Sequence, residues 1–414
     1  MKNLRMQQEM TDRGRLEIRV NARIQARPVS GARVTVSYTG DPQNVIEELI
    51  TDGDGRTETL DLATPPLEYS LEPNVNQPYS EYTVKVEAEG YELVEVTGSE
   101  LLSGEQSVQQ VDLKLAEGAA FADVTIPDHT LFGEYPAKIP ESEIKPTRES
   151  GEIVLSRVVI PEYIIVHDGA PTDSTARDYY VRYRDYIKNV ACSEIYATWP
   201  DAAIRANILA IMSFTLNRVY TEWYRNKGYD FTITSSTAYD HKWIYGRNIF
   251  DSISLVVDEI FADYLSRPNV KQPILTQYCD GNRVSCPNWM SQWGSKNLAD
   301  QGYSTIQILR NYYGDNMYIN TAEEISGIPS SWPGYDLTIG SSGNKVLQMQ
   351  EQLNVIAEVY SSIPTVYENG YFDEETQDAV EAFQRLPVSG IVDYPTWYKI
   401  QSIYVAVTRI AELQ

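Results

Sequence analysis

The hydrophobic period of this chain shifts partway along, and that shift most constrains what it can fold into. From residue 14 to about 115 apolar and polar residues alternate, as in LEIRV, ARVTVSY, EYTVKVEAEGYELVEV and VQQVDLKL. Turns such as TDGDG and TGDP separate the runs. Side chains alternate faces along a strand, so the pattern is that of a small β-sandwich. The Asp52-Gly53-Asp54-Gly55 run lacks the later acidic ligands of a calcium loop and reads as a plain turn. VIPEYIIVHDG, over 159–169, returns to strand pattern, and helical spacing then dominates to about 315.

At 414 residues the chain exceeds one ordinary core. The pattern divides it into a sandwich over 1–115, a linker over 116–158, a mixed α+β domain over 159–325 and a compact helical unit over 326–414. The expected class is therefore multidomain α+β. The linker, TIPDHTLFGEYPAKIPESEIKPTRESGE, is rich in Pro and acids and is expected to be exposed and open to proteolysis. A net charge of −24 argues against a nucleic-acid partner, and no apolar run is long enough to span a bilayer. The opening segment lacks an apolar core, so no secretory signal is expected. The 30 tyrosines against 8 phenylalanines suit wet, amphipathic clefts of the kind that contact sugars. Cys192, Cys279 and Cys286 are too few for a disulfide framework; the last two either bridge a short loop or stay free.

One acid stands where a core residue belongs. In 186-YIKNVACSEI-195, Ile187, Val190 and Ala191 share a helix face, and Glu194 falls on the same stripe. Pro200 reads as the first residue of the next helix, where Ile204, Ile208, Ile211 and Thr215 form a stripe interrupted by Asn207. Glu194 is then either a satisfied structural carboxyl or an acid tuned by apolar surroundings to donate a proton. Periodicity does not choose between them.

The segment 191-ACSEIYATWPDAAIRANILAI-211 resembles the signature of the stage II sporulation protein D family of peptidoglycan lytic enzymes. A small residue, Ser193 and Glu194 precede a Pro and a helix in which Asn207, Met212 and Phe214 stand for the family's Gln, Arg and Tyr. About 100 residues on, 290-MSQWGSKNLADQGYSTIQILRNYYGDN-316 resembles the family's second motif, with Ser304 and Gln307 placed for a capping box. Where the family usually has a Gly-His-Gly-type loop, this chain has Val284-Ser285-Cys286-Pro287-Asn288. The resemblance implies lytic transglycosylase chemistry with Glu194 as acid and then base, which needs no paired carboxylate. Gln292 and Trp293, with the adjacent Ser291, suit a sugar cleft, and Asn207 is the expected neighbour of Glu194. In 236-STAYDHKWIYGR-247, Tyr239, Asp240 and His241 are candidates for the same cleft, His241 as an assistant. No cofactor is required. Zinc on Cys279, Cys286 and His241 is a weak alternative, because Cys-x6-Cys fits no standard zinc spacing.

Residues 337–354 and 369–400 resemble the type 1 peptidoglycan-binding module, with Val346, Met349 and Leu353 on one helix face and Ala379, Val380 and Phe383 on another. A three-helix miniature core is expected, anchoring the enzyme to its polymer. The first 115 residues resemble the transthyretin-like sandwich, with PVSGARVTV and ITDGDGRTETLDL as marks. This order of parts is similar to clostridial spore-cortex-lytic enzymes of the SleC type. That resemblance implies a zymogen deposited in the spore, cut by a germination protease at about 140–158, and acting on cortex peptidoglycan. Amidase activity is attributed to the type, but its usual zinc ligands are missing here. An N-acetylmuramoyl-L-alanine amidase and a non-catalytic wall-binding scaffold are the competing classes.

Overall fold

The structure, a computed structural model, describes residues 11–22, 27–73, 75–116, 121–145, 158–322, 324–325, 333, 335–384 and 388–408. The chain is mixed α+β, with several sheets and, among the described residues, eight α-helices.

The alternating N-terminal pattern builds two sheets. In the first, β1 (Asp12–Ala22) pairs antiparallel with the short β2 (Arg27–Pro28) and with β5 (Leu60–Thr64), and parallel with β8 (Gln106–Leu113). The second runs in the order β4 (Asp41–Ile50), β3 (Arg33–Tyr38), β6 (Ser80–Glu87), β7 (Leu93–Leu101) and β9 (Phe121–Thr125). Every second residue turns inward, so Leu16, Ile18 and Val20 of β1 meet Val34, Val84 and Val96 of the other sheet in one core. The turn at Asp52 is closed by its own carboxylate, whose Oδ1 accepts from the Asp54 and Arg56 N–H groups at 2.9 Å each.

β9 arises from the stretch expected to be an exposed linker. Residues 121–145 are instead anchored at intervals, with Ile126, His129, Leu131, Tyr135, Lys138 and Lys145 all buried between exposed residues. Prolines and acids dominate the composition there, but apolar residues spaced through it supply the anchoring surface. Residues 146–157, the larger part of the expected cut region, lie outside the described residues.

In the central region β10 (Val159–Ile160) pairs with residues 324–325, and β11 (Tyr163–His167) lies between β12 (Asp178–Arg182) and β13 (Ile233–Thr234). These strands lead into α1 (Tyr183–Glu194) and α2 (Asp201–Tyr220). Pro200 is the residue before α2, not the first inside it, and its carbonyl accepts from the Ala203 and Ile204 N–H groups. Nearly every residue of α2 is buried, polar ones included, so it is a central helix and not an amphipathic one. The strand β14 (Ile249–Phe250) then pairs with β8 and completes the first sandwich sheet.

That junction is buried and polar at its centre. Arg247 Nη1 and Nη2 donate to Glu100 at 2.6 Å each, with both side chains essentially inaccessible. Asn248 accepts from the Glu100 N–H at 3.0 Å and donates to its carbonyl at 2.7 Å. Gly246 lets its loop approach the sandwich, since a Cβ there would lie 2.4 Å from Val124 Cγ1.

The helices α3 (Asp251–Ile260), α4 (Gln292–Asp300) and α5 (Thr305–Tyr313) pack around α2. Gln307 reaches back to the Ser304 N–H at 2.8 Å, as the capping box requires. Among its described residues the C-terminal unit has three helices, α6 (Asn344–Ala357), α7 (Glu374–Gln384) and α8 (Tyr394–Thr408). Val346, Met349, Leu353, Ala379, Val380, Phe383 and Trp397 are buried together there. Buried Gln350 and Gln384 each clamp a turn, accepting from the Gly370 and Gly390 N–H groups at 2.8 and 3.0 Å.

Candidate active site

Glu194 is the last residue of α1 and is wholly buried. Both carboxyl oxygens are held: Oε1 accepts from the Lys242 N–H at 2.8 Å and Oε2 from Gln292 Nε2 at 3.1 Å. Gln292 Nε2 also donates to the Glu194 carbonyl at 3.0 Å, so one side chain fixes both ends of the residue. Gln292 opens α4, and Ser291, its N-cap, accepts from the Gly294 N–H. The two motifs, some 100 residues apart in sequence, therefore meet at this carboxyl group.

Asn207 is not the neighbour of Glu194 that its place on α2 suggests. Its Nδ2 donates to the Ala203 carbonyl and to Ser295 Oγ, both at 2.8 Å. Ser295 Oγ in turn donates to the Gln292 carbonyl at 2.7 Å, so Asn207 secures the first turn of α4 and reaches the acid only through it. Asp240 lies in a different network: Arg218 Nε at 2.7 Å, Tyr224 Oη at 2.6 Å and the Thr234 hydroxyl at 2.7 Å all donate to it. Tyr239 offers its carbonyl to Arg218. Trp293 packs on Trp199, ring centroids 4.9 Å apart, and its indole N–H has no partner among the described residues.

His241 is fully buried, with Nδ1 3.1 Å from Tyr186 Oη and its ring stacked on Tyr278. Burial first, then the nearby Lys138 and Arg218 charges, hold its pKa well below the ordinary value, so the ring is neutral at neutral pH. Cys279 and Cys286 are joined to each other, which removes both sulfurs from the zinc reading. No cluster of metal-ligating side chains occurs among the described residues.

Three groups missed by the sequence reading complete the surroundings. Tyr278 and Tyr135 have their hydroxyl pKa values pushed far up, by burial first and then by the Glu194 charge beside them. Lys138 donates to the Asp240 carbonyl at 2.7 Å and lies 4.2 Å from the Tyr278 ring centre. Burial holds its pKa down, against the pull of Glu194 and Asp240. The hydroxyls of Tyr135 and Tyr278, His241 Nε2 and Gln292 Oε1 are all buried without a partner among the described residues. Unpaired polar atoms are costly in a protein interior, and their concentration around one acid is typical of a site meant to receive a polar ligand.

Tyr135 and Lys138 belong to the segment 126–145, which packs beside the acid, with Thr130 donating to the Ser193 carbonyl and His129 Nε2 3.3 Å from that of Ile195, and which is stitched down along its length. Arg283 donates to the carbonyls of Thr130 (2.7 Å), Phe132 (3.3 Å) and Gly133. Glu141 receives Arg218 at 2.6 and 3.0 Å, and Glu143 receives Arg267 at 2.6 and 2.7 Å.

Comparison with known proteins bears on the C-terminal unit. Residues 342–400 match a family described as putative peptidoglycan binding domain, which makes this a peptidoglycan-associated protein. No curated protein matches the chain. Among solved structures the chain is similar to the Bacillus anthracis TIE protein (18% identity, 25% of this chain and 17% of that one, TM-score 0.18). It is also similar to GBS52, the minor pilin of Streptococcus agalactiae (12% identity, 28% and 49% covered, TM-score 0.18). This chain thus spans less than half of either protein.

Proposed function

We propose that the protein is a peptidoglycan lytic transglycosylase made as a zymogen, with spore cortex as its substrate and Glu194 as its single acid and base. The observation that carries this reading is a buried carboxyl group gripped on both oxygens and ringed by unpaired polar and aromatic side chains. In the first step Glu194 gives a proton to the glycosidic oxygen between N-acetylmuramic acid and N-acetylglucosamine, and that C1–O bond breaks. In the second, the carboxylate takes the proton of the muramic C6 hydroxyl as its oxygen closes on C1. The products are a 1,6-anhydro-muramic end and a free N-acetylglucosamine 4-hydroxyl, and Glu194 is protonated again. The Lys242 N–H and the Gln292 amide hold the carboxyl group in one orientation through both transfers, which is worth more in a dry site than in water. Glu194 is wholly buried with residues 126–145 packed beside it, and a polymer has no path to such an acid, which supports the zymogen part.

The test is digestion of cortex fragments by the chain cut within 146–157, beside its Glu194→Gln variant, with products read by mass spectrometry. Anhydro-muramic ends are expected, falling by a factor of about 10²–10⁴ in the variant. Free stem peptides would instead indicate an amidase, and unchanged polymer a binding scaffold. The uncut chain is expected to be much slower than the cut one; equal rates would remove the zymogen.

A further inference from the structure

A pocket of about 460 Å3 lies where the sandwich meets the central region, apart from the groups around Glu194. Its sandwich side mixes apolar side chains, Val94, Val111 and Val124 among them, with the charged Glu92, Asp112, Lys114 and Asp123. Its other side carries Tyr179, Trp243 and Tyr245. Tyr179 lies 5.2 Å from the Trp243 ring centre and 5.0 Å from that of Tyr245, so the three rings form one continuous aromatic surface. Tyr245 is 40% exposed and Trp243 only 5%, yet the buried Trp243 indole N–H has no partner among the described residues. An indole N–H is a donor only, and a buried one calls for an acceptor. The rim carries both signs of charge, with Arg177 and Asp185 among its members, and so favours neither an anion nor a cation.

An aromatic wall facing mixed apolar and polar side chains, with an unpaired donor and charges of both signs, fits a neutral ring with one apolar face and hydroxyl or acetamido groups at its edge. We propose that this pocket binds an N-acetylated hexosamine ring of the wall glycan, as a subsite separate from the acid. The choice of a wall sugar rests on the peptidoglycan-binding domain of the same chain and not on the catalytic reading. The segment 242–247 joins the two places. Its first N–H is held by Glu194, the Asn189 side chain pairs with both the N–H and carbonyl of Ile244, and Gln109 Nε2 donates to the Gly246 carbonyl at 2.9 Å. A sugar on Trp243 and Tyr245 would therefore rest on the loop that orients the acid.

Calorimetric titration of the uncut full chain with a soluble N-acetylglucosamine tetramer tests this. Tyr245→Ala, which removes an aromatic contact, and Trp243→Phe, which removes the indole donor, are each expected to weaken one binding event about tenfold. The exposed position of Tyr245 makes its variant safe for folding, and unchanged thermal melting would verify that. Calorimetry reads binding without any lytic step, so a failed lytic assay and a failed pocket are told apart. The same isotherm in parent and both pocket variants would place all binding on the C-terminal unit and overturn the proposal.

Discussion

The N-terminal half of the chain meets the central region in two ways. At the sandwich junction β14 continues the sheet beside β8, and a buried Arg247–Glu100 pair with Asn248 leaves Arg247 Nε, and the Trp243 indole N–H in the adjoining pocket, unmet among the described residues. Around Glu194, where residues 126–145 pack, four polar atoms of the surrounding side chains stay unpaired among the described residues. A permanent interface satisfies its buried polar groups, whereas a cover over a binding site leaves them for another partner. The contrast suggests that the sandwich is a fixed part of the fold and the strap a replaceable one. A cut in 146–157 would free the strap's downstream end while β9 still ties its upstream end to the sandwich.

The largest effect should therefore come from the junction. Arg247→Met leaves Glu100 buried without its partner and is expected to cost about 3–5 kcal/mol in denaturant unfolding. Adding Glu100→Met should recover most of that loss, because an apolar pair of similar volume removes the unpaired charge. The two fragments of the cut chain should also co-elute in size-exclusion chromatography. A small loss in Arg247→Met, or prompt separation of the fragments, would erase the distinction between the two interfaces.

Two buried histidines should make the fold acid-sensitive, partly offset by Glu100, whose burial pushes its pKa up to about 7 and so favours the folded state as pH falls. The chain's three histidines include His129 in the strap and His241 behind Tyr278, and both are buried with pKa values held well below the ordinary value. An unfolded histidine takes its proton near pH 6.5, while these two refuse it until much lower pH. As pH falls through 6.5 the unfolded chain binds more protons than the folded one, so stability falls by up to about 1.4 kcal/mol per pH unit for each. Melting temperatures measured from pH 7.5 to 5.5 should show this slope, and His241→Asn should flatten part of it. A flat profile in the parent would mean that these rings are hydrated or already charged.

Legibility from sequence followed the range of the signal. Alternation located the sandwich strands because each is a local pattern, and motif spacing located Glu194, Gln292 and the capping box at Ser304. What local pattern missed was contact between distant segments. Nothing near Tyr278 or Lys138 marks them as neighbours of residue 194, and Asn207 shares a helix stripe with the core while bonding Ser295 across to α4. The one available clue to the strap was apolar residues, Leu131, Phe132, Tyr135 and Ile139, within a stretch that prolines and acids made look solvated. The pairing of β14 with β8 spans well over a hundred residues and leaves no trace in periodicity.

The smallest predicted effect would sharpen the contrast most. Arg283, on the loop closed by Cys279 and Cys286, holds three strap carbonyls but is itself part-exposed, with 31% of its side chain accessible. Solvent screening reduces what such contacts are worth, so Arg283→Ala should lower global stability by only about 1 kcal/mol. Local opening is a separate quantity: the strap can loosen while the core stays folded. Amide exchange at Phe132 and Gly133 should accelerate in the variant, while exchange along β8 and β14 stays as in the parent. If the strap is the cover, the uncut variant should also gain lytic rate over the uncut parent. Faster exchange without any gain in rate would show that loosening this end does not open the acid, and would place the block at Lys138 and Glu141 instead.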